Sequence, residues 1–170
     1  MIHSIRCTIL VSALFFSQLI YASAEYKLQT LQTLFNNYQR QAAYDYASRY
    51  VRQMEGNVYF DYFYGVSAID SGHASQGVFA LERVILLAPA DHVARLELAR
   101  GYFILQEYAR ARKEFERVIS TNPPPGVNQT TQRFLALIRL REAKYRTTSN
   151  GFVALSIGHD SNITAVLMKT

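Results

Sequence analysis

The chain has 170 residues, 49% of them hydrophobic, which is enough for one domain with its own core and little more. Its net charge of +5 is modest and is not gathered into one long run, so composition gives nucleic-acid binding no support and no nucleic-acid partner is expected. A single cysteine, Cys7, excludes a disulfide framework within the chain.

Residues 1–24 read as a secretory signal peptide. Arg6 supplies a positive n-region, Thr8 to Ile20 a mostly apolar h-region, and Ala22-Ser23-Ala24 a small-residue cleavage site before Glu25. The apolar run is short for a membrane span, which takes roughly 20 residues. Cleavage removes Cys7 and leaves a mature chain without cysteine, which suits an oxidising compartment.

From Glu25 onward the chain repeats itself. Residues 25–57 form a degenerate first unit. Leu28, Leu31, Leu34 and Phe35 recur at helical spacing, and a second helix follows with Ala43, Ala47 and Tyr50 on one stripe. The second unit runs from Val58 to Asp91 and the third from His92 to Pro125. Glu82-Arg83-Val84-Ile85 returns 34 residues later as Glu116-Arg117-Val118-Ile119, and Pro89 returns as Pro123 at the same interval. A fixed period of this length is the signature of a helical repeat.

Within the third unit Leu98, Ala99, Tyr102, Ala111, Phe115 and Pro123 fall at positions 7, 8, 11, 20, 24 and 32. The second unit has Tyr64, Gly65, Ala68, Gly77, Leu81 and Pro89 there, with Gly72 at position 15. This spacing resembles the tetratricopeptide repeat (TPR). It departs from that pattern at Gln106, where a small residue is usual, and at Val118, where alanine is usual. Small residues at positions 8 and 20 let paired helices approach, large ones fill the space beside them, and the proline ends the second helix. Asp91 stands where an N-cap belongs, and Ser71-Gly72 and Leu105-Gln106 mark the turns inside the two units.

Pro123-Pro124-Pro125-Gly126 is a hard stop, after which Val127 to about Lys144 reads as one more helix with Phe134, Leu137 and Ile138 as its apolar stripe. Arg133, Arg139, Arg141, Lys144 and Arg146 make it basic. It serves either as a solvated cap to the array or as an electropositive face for a partner or for lipid head groups. In Gly151 to Gly158, Val153, Leu155 and Ile157 alternate with Phe152, Ala154 and Ser156, the period of a strand. The expected fold is therefore all-α, a TPR-like α-solenoid of about three helix pairs plus a capping helix over residues 25–146, with one C-terminal strand. A lone strand needs another chain or a further C-terminal part to pair with.

Signal peptide, TPR-like helices, basic helix and a strand ending Ser156-Ile157-Gly158-His159-Asp160-Ser161-Asn162-Ile163 form an order that resembles the start of the surface lipoprotein assembly modifier (Slam) family of Gram-negative bacteria. The resemblance implies a periplasmic TPR domain followed by an outer-membrane β-barrel, with Gly158 to Ile163 similar to the first barrel strand. It implies a part in helping particular lipoproteins reach the outer face of the outer membrane. Residues 147–170 then read as a linker and the first strand of a truncated barrel. A barrel needs at least about eight strands of roughly 10 residues each, so the outer membrane is expected as a location only with a barrel encoded downstream. Otherwise the expected location is the periplasm. The alternatives are a free-standing periplasmic TPR adaptor in envelope assembly, or a fragment of a TPR-plus-barrel exopolysaccharide exporter.

His3, His73, His92 and His159 are scattered without metal-ligand spacing, and as adjacent strand residues His159 and Asp160 would point to opposite faces. There is no glycine-rich phosphate loop and no nucleophile elbow. No catalytic residue, metal or cofactor is expected, and the expected partner is a protein or peptide segment, with a lipoprotein in transit as one candidate. The TPR resemblance assigns the concave binding face to the first helix of each unit. By the repeat phase that face carries Tyr59, Tyr62, Val66 and Ile69, then Val93, Leu96, Arg100 and Phe103, some of which must also serve the core. TPR arrays that clamp a peptide's C-terminal carboxylate use several Lys, Asn and Arg side chains at such positions. Arg100 is the one match here, so that clamp is not expected.

Overall fold

The two 34-residue units each fold as an antiparallel helix pair, and the first unit does so with its second helix in two pieces. The computed structural model describes residues 23–151, with side chains described as far as residue 144. Unit one is α1 (residues 23–36) against α2 (Arg40–Ser48) and the short α3 (Val51–Met54). Unit two is α4 (Val58–Asp70) and α5 (Ala74–Leu87), unit three is α6 (His92–Ile104) and α7 (Tyr108–Ser120), and α8 (Pro125–Gly151) caps the array. The described residues show the expected all-α, TPR-like architecture. Helices pack as neighbours in order, α2 on α4, α5 on α6 and α7 on α8.

The period is visible in the backbone itself. Asn57 and Asp91 stand 34 residues apart and both cap a first helix. The Asn57 side chain accepts from the Phe60 N–H at 3.0 Å, and the Asp91 carboxylate accepts from Val93 and Ala94 at 3.0 and 2.9 Å. The turn inside each unit passes through the left-handed region at the same repeat position, at Tyr38 (φ 59), Gly72 (φ 85) and Gln106 (φ 62). Only the middle unit places a glycine there, so the turn geometry belongs to the repeat and not to the residue type.

Two elements differ from the sequence expectation. The second helix of unit one is broken at Arg49-Tyr50, where Tyr50 leaves helical geometry at φ −117. Its ring packs against Tyr46 at 5.2 Å and lies under the Lys27 ammonium at 4.8 Å. The capping helix begins two residues early, because Pro125 occupies its first turn, where a missing N–H costs nothing. It also continues across the boundary expected at 146–147. Thr147-Thr148-Ser149-Asn150 contain no glycine or proline, and a helix already nucleated propagates through such residues. The remainder of the expected strand and the signal peptide up to residue 22 lie outside the described residues.

The core forms two clusters. Leu31, Ala43, Ala47, Phe60 and Tyr64 join unit one to the outer side of α4. Leu81, Leu98, Phe115, Leu135 and Ile138 run through units two and three into the cap. Each fully buried large apolar side chain contributes about 1.5–3 kcal/mol. The repeat-defining positions behave as the spacing implies: Phe115 and Ala111 are fully buried, Tyr102 is buried, and Pro123 is buried at the α7–α8 corner while Pro89 is exposed. Gly65 and Gly77 face each other so closely that a Cβ on Gly77 would sit 2.5 Å from the Gly65 carbonyl oxygen.

Position four of the repeat is a buried charge in both complete units, with opposite sign. Asp61 is fully buried and receives two hydrogen bonds from Arg83 of α5, at 3.0 and 2.5 Å, and one from the Gly56 N–H at 2.9 Å. Arg95 is buried and pairs with Glu114 of α7 at 2.7 Å. Units two and three therefore each tie their two helices together with an ion pair. Burial and the hydrogen bond to Glu82 of α5 push the Tyr102 phenol above its ordinary range, so it stays a donor and links α6 back to unit two.

A candidate peptide-binding face

The first helices α1, α4 and α6 share one face, on which the last turn of α1 meets the aromatic first half of α4. Phe35 packs on Phe63 and Tyr62, with ring centroids 4.9 and 6.0 Å apart. The Arg40 guanidinium covers the other side of Phe35 at 3.7 Å. Beside this cluster a cleft of about 360 Å³ opens between the start of α4 and the start of α6, lined by Val58, Tyr59, Tyr62, Phe63, Asp91 and Val93. Tyr59 and Val93 stand at its mouth with 68% and 43% of their surfaces exposed. A larger depression of about 720 Å³ at the Asn122–Pro125 corner has no aromatic lining and no charged group.

Charge on this face is organised along a chain of four side chains. Arg40 donates to Asp70 at 3.2 Å, Asp70 pairs with Arg100 at 2.8 Å, and Arg100 pairs with Glu97 at 2.7 Å. Both arginines are thus neutralised from within the array. The Tyr62 phenol is pushed above its ordinary value by burial, then by the carboxylates of Glu97 and Asp91 in the same direction. An incoming group meets apolar rings, neutral phenols and a rim on which carboxylates outweigh free cationic charge.

The residues expected on this face from the repeat phase separate into distinct roles. Tyr59 and Tyr62 line the cleft. Val66 and Ile69 are 4% and 3% exposed and belong to the core, so the placement of Val66 at a binding surface is corrected. For Ile69 the close approach of Gly101 contributes. Its missing side chain lets α6 close over Ile69, where a Cβ would lie 2.9 Å from the Ile69 Cδ1. Arg100 is held in its two ion pairs, and Phe103 packs edge-on against Tyr108 and Phe134 at 5.7 and 5.2 Å, which ties α6 to the cap. The sequence reading missed Phe63, Arg40 and Asp70, and used Asp91 only as a cap. Among these, Phe63 was signalled by its place one turn beyond Tyr59 on α4.

Among the described residues, no group of three His, Cys, Asp or Glu side chains is placed to hold a metal, and no helix is long and apolar enough to cross a membrane.

No protein-family model matches the chain. Solved structures with the same fold include the first TPR domain of Spaghetti (RPAP3) bound to the HSP90 peptide SRMEEVD, at a TM-score of 0.58 and 13% identity over 68% of this chain and 93% of that one. The Sgt2 TPR domain from Aspergillus fumigatus aligns at a TM-score of 0.56 and 14% identity, over 85% of this chain and 91% of that one. MamA aligns at 0.55 and 16% identity, over 81% and 79% of the two chains. In sequence, the chain is 25% identical over 89 residues to a surface lipoprotein assembly modifier of Moraxella catarrhalis, 52% of this chain but 18% of that protein. The chain thus spans under a fifth of the length of the curated relative it matches, and its described part is a TPR-like domain similar to known TPR domains in fold and to a Slam protein in sequence.

Proposed function

We propose that residues 25–146 form a periplasmic TPR module that binds an extended protein segment, in a Slam-like outer-membrane system that assembles or translocates surface lipoproteins. The observation that carries the binding reading is the cleft between α4 and α6, where Tyr59 and Val93 are left in water at the mouth of an apolar hollow. Concave apolar sites with a few polar groups at the rim are the usual anchor pockets of ligands. The module acts by binding and not by catalysis, and needs no cofactor.

Charge narrows the class of segment. Arg40 and Arg100 already have carboxylate partners in Asp70 and Glu97, while Asp91, which lines the cleft beside Tyr62, is in no ion pair among the described residues. A segment with an aromatic or aliphatic anchor next to a lysine or arginine fits this rim, and an acidic peptide end does not. The periplasmic location rests on the leader-like residues 1–24. The lipoprotein cargo rests on the name of the Moraxella relative. In this reading residues 147–170 lead into a barrel, and the module faces the periplasm beneath the outer membrane.

The test is binding of an unfolded, delipidated surface lipoprotein to the chain by fluorescence anisotropy. Tyr59→Ala combined with Val93→Ala weakens binding about tenfold or more, since losing an aromatic anchor costs about 1–2 kcal/mol, and leaves the melting temperature unchanged. Parallel loss of fold and affinity would instead place both side chains in the core. Unchanged affinity would move the site elsewhere on the molecule.

A further inference from the structure

The inward side of α8 is defined by Thr131, Leu135 and Ile138, which are buried against α7, and by Glu142, which is bonded to Arg112 of α7. At 3.6 residues per turn, Leu140 lies half a turn away from both Ile138 and Glu142. It is 69% exposed, with Leu137 beside it at 44%. Exposed Arg133, Arg139 and Arg141 flank these leucines. Among the described residues no carboxylate pairs with any of the three, whereas every arginine of units two and three is in an ion pair. Arg49 and Arg52 of unit one share the lack of one but have no pair of exposed leucines between them. The acid of α8, Glu142, is already engaged by Arg112.

A plain cap needs only a polar outer face to keep the array soluble. This face instead combines two exposed leucines with three arginines that have no internal counter-charge. A further helix pair of the same kind would cover the leucines but would strand the arginines against an apolar surface. We infer that α8 docks the chain flat on an anionic lipid surface, with phosphate head groups taking the arginines and Leu137 and Leu140 entering the head-group and acyl boundary. From Arg133 to Arg141 the helix rises roughly 12 Å at 1.5 Å per residue, about two turns of contact for such a surface. No described helix is long and apolar enough to cross a membrane, so the proposed contact is an interfacial one and not a span. The inference is independent of the cleft on the first helices.

Co-sedimentation of the full chain with vesicles of phosphatidylcholine, with and without phosphatidylglycerol, tests it. The expected result is preferential binding to the phosphatidylglycerol vesicles that falls as salt rises. Replacing Arg133, Arg139 and Arg141 together by glutamine removes about a hundredfold of that preference, at roughly fivefold per charge. Replacing all three by lysine retains most of it. Leu137→Ser with Leu140→Ser lowers binding to the anionic vesicles and keeps the salt dependence. Circular dichroism of each variant is expected to match the parent, because all five side chains are exposed. Equal binding to both vesicle types overturns the proposal, as does an unaltered preference in the glutamine variant. Binding to soluble polyglutamate with none to vesicles overturns it in favour of an acidic protein partner.

Discussion

Arg83→Ala lowers the stability of the array by about 3 kcal/mol. Removing one partner of a buried ion pair costs about 3–5 kcal/mol because it strands the other charge. The lower end applies because the Arg83 side chain is 33% exposed and water can follow it. Asp61 is the fully buried partner, and without Arg83 its carboxylate keeps only the Gly56 N–H. The control is Arg117→Ala, at the equivalent place in the repeated tetrapeptide. Arg117 is half-exposed, and its partner Glu114 is also held by Arg95, so its loss costs at most about 1 kcal/mol. Urea denaturation of the two variants gives the comparison directly. Equal midpoints would show that the Asp61 site is wetter than its geometry indicates.

Gly77→Ala is the second large effect. Alanine is the better helix former by about 1 kcal/mol, and Ala111 fills the same repeat position in unit three. The substitution nevertheless destabilises unit two. The new methyl would stand 2.5 Å from the Gly65 carbonyl oxygen and 2.6 Å from the Ile69 Cγ1, so backbone must move. Overpacking costs about 1–3 kcal/mol and more where backbone is displaced. The expected net loss is about 2 kcal/mol, seen as a fall of roughly 10 °C in thermal melting. A melting temperature at or above that of the parent would mean that α4 and α5 separate without cost and that the glycine contact is not structural.

These effects mark where sequence stops being sufficient. The 34-residue period, the caps and turns and the close approach at Gly65 and Gly77 are local demands of sterics and backbone hydrogen bonding, and residue type reports them directly. The buried pairs are different. The repeated Glu-Arg-Val-Ile gives Val84 and Val118 the same fully buried role, but Arg83 and Arg117 find unrelated partners. Asp61 and Arg95 share a repeat position with opposite charge, so the period fixes the place and the neighbouring helix fixes the sign. The candidate face was legible to the same extent. The phase selects the stripe through Tyr59, Tyr62, Val66 and Ile69, but which of them meets solvent depends on how the neighbouring helices pack, as at Ile69, which Gly101 of α6 approaches closely. The end of the capping helix was missed because polar residues without glycine or proline read as linker when their tertiary and helical context is ignored.

The proposed function turns on whether the cleft prefers an apolar anchor beside a cation to an acidic peptide end. The decisive measurement is a pair of anisotropy titrations. One uses a labelled peptide in which a single tyrosine or leucine is followed by lysine and arginine, and the other uses SRMEEVD, the peptide seen on the Spaghetti domain. The expected result is binding of the basic peptide at least about tenfold tighter, which is about 1.4 kcal/mol, and loss of that preference in Tyr59→Ala. Equal or tighter binding of SRMEEVD would contradict the reading. It would mean that Arg40 and Arg100 leave Asp70 and Glu97 for an incoming carboxylate.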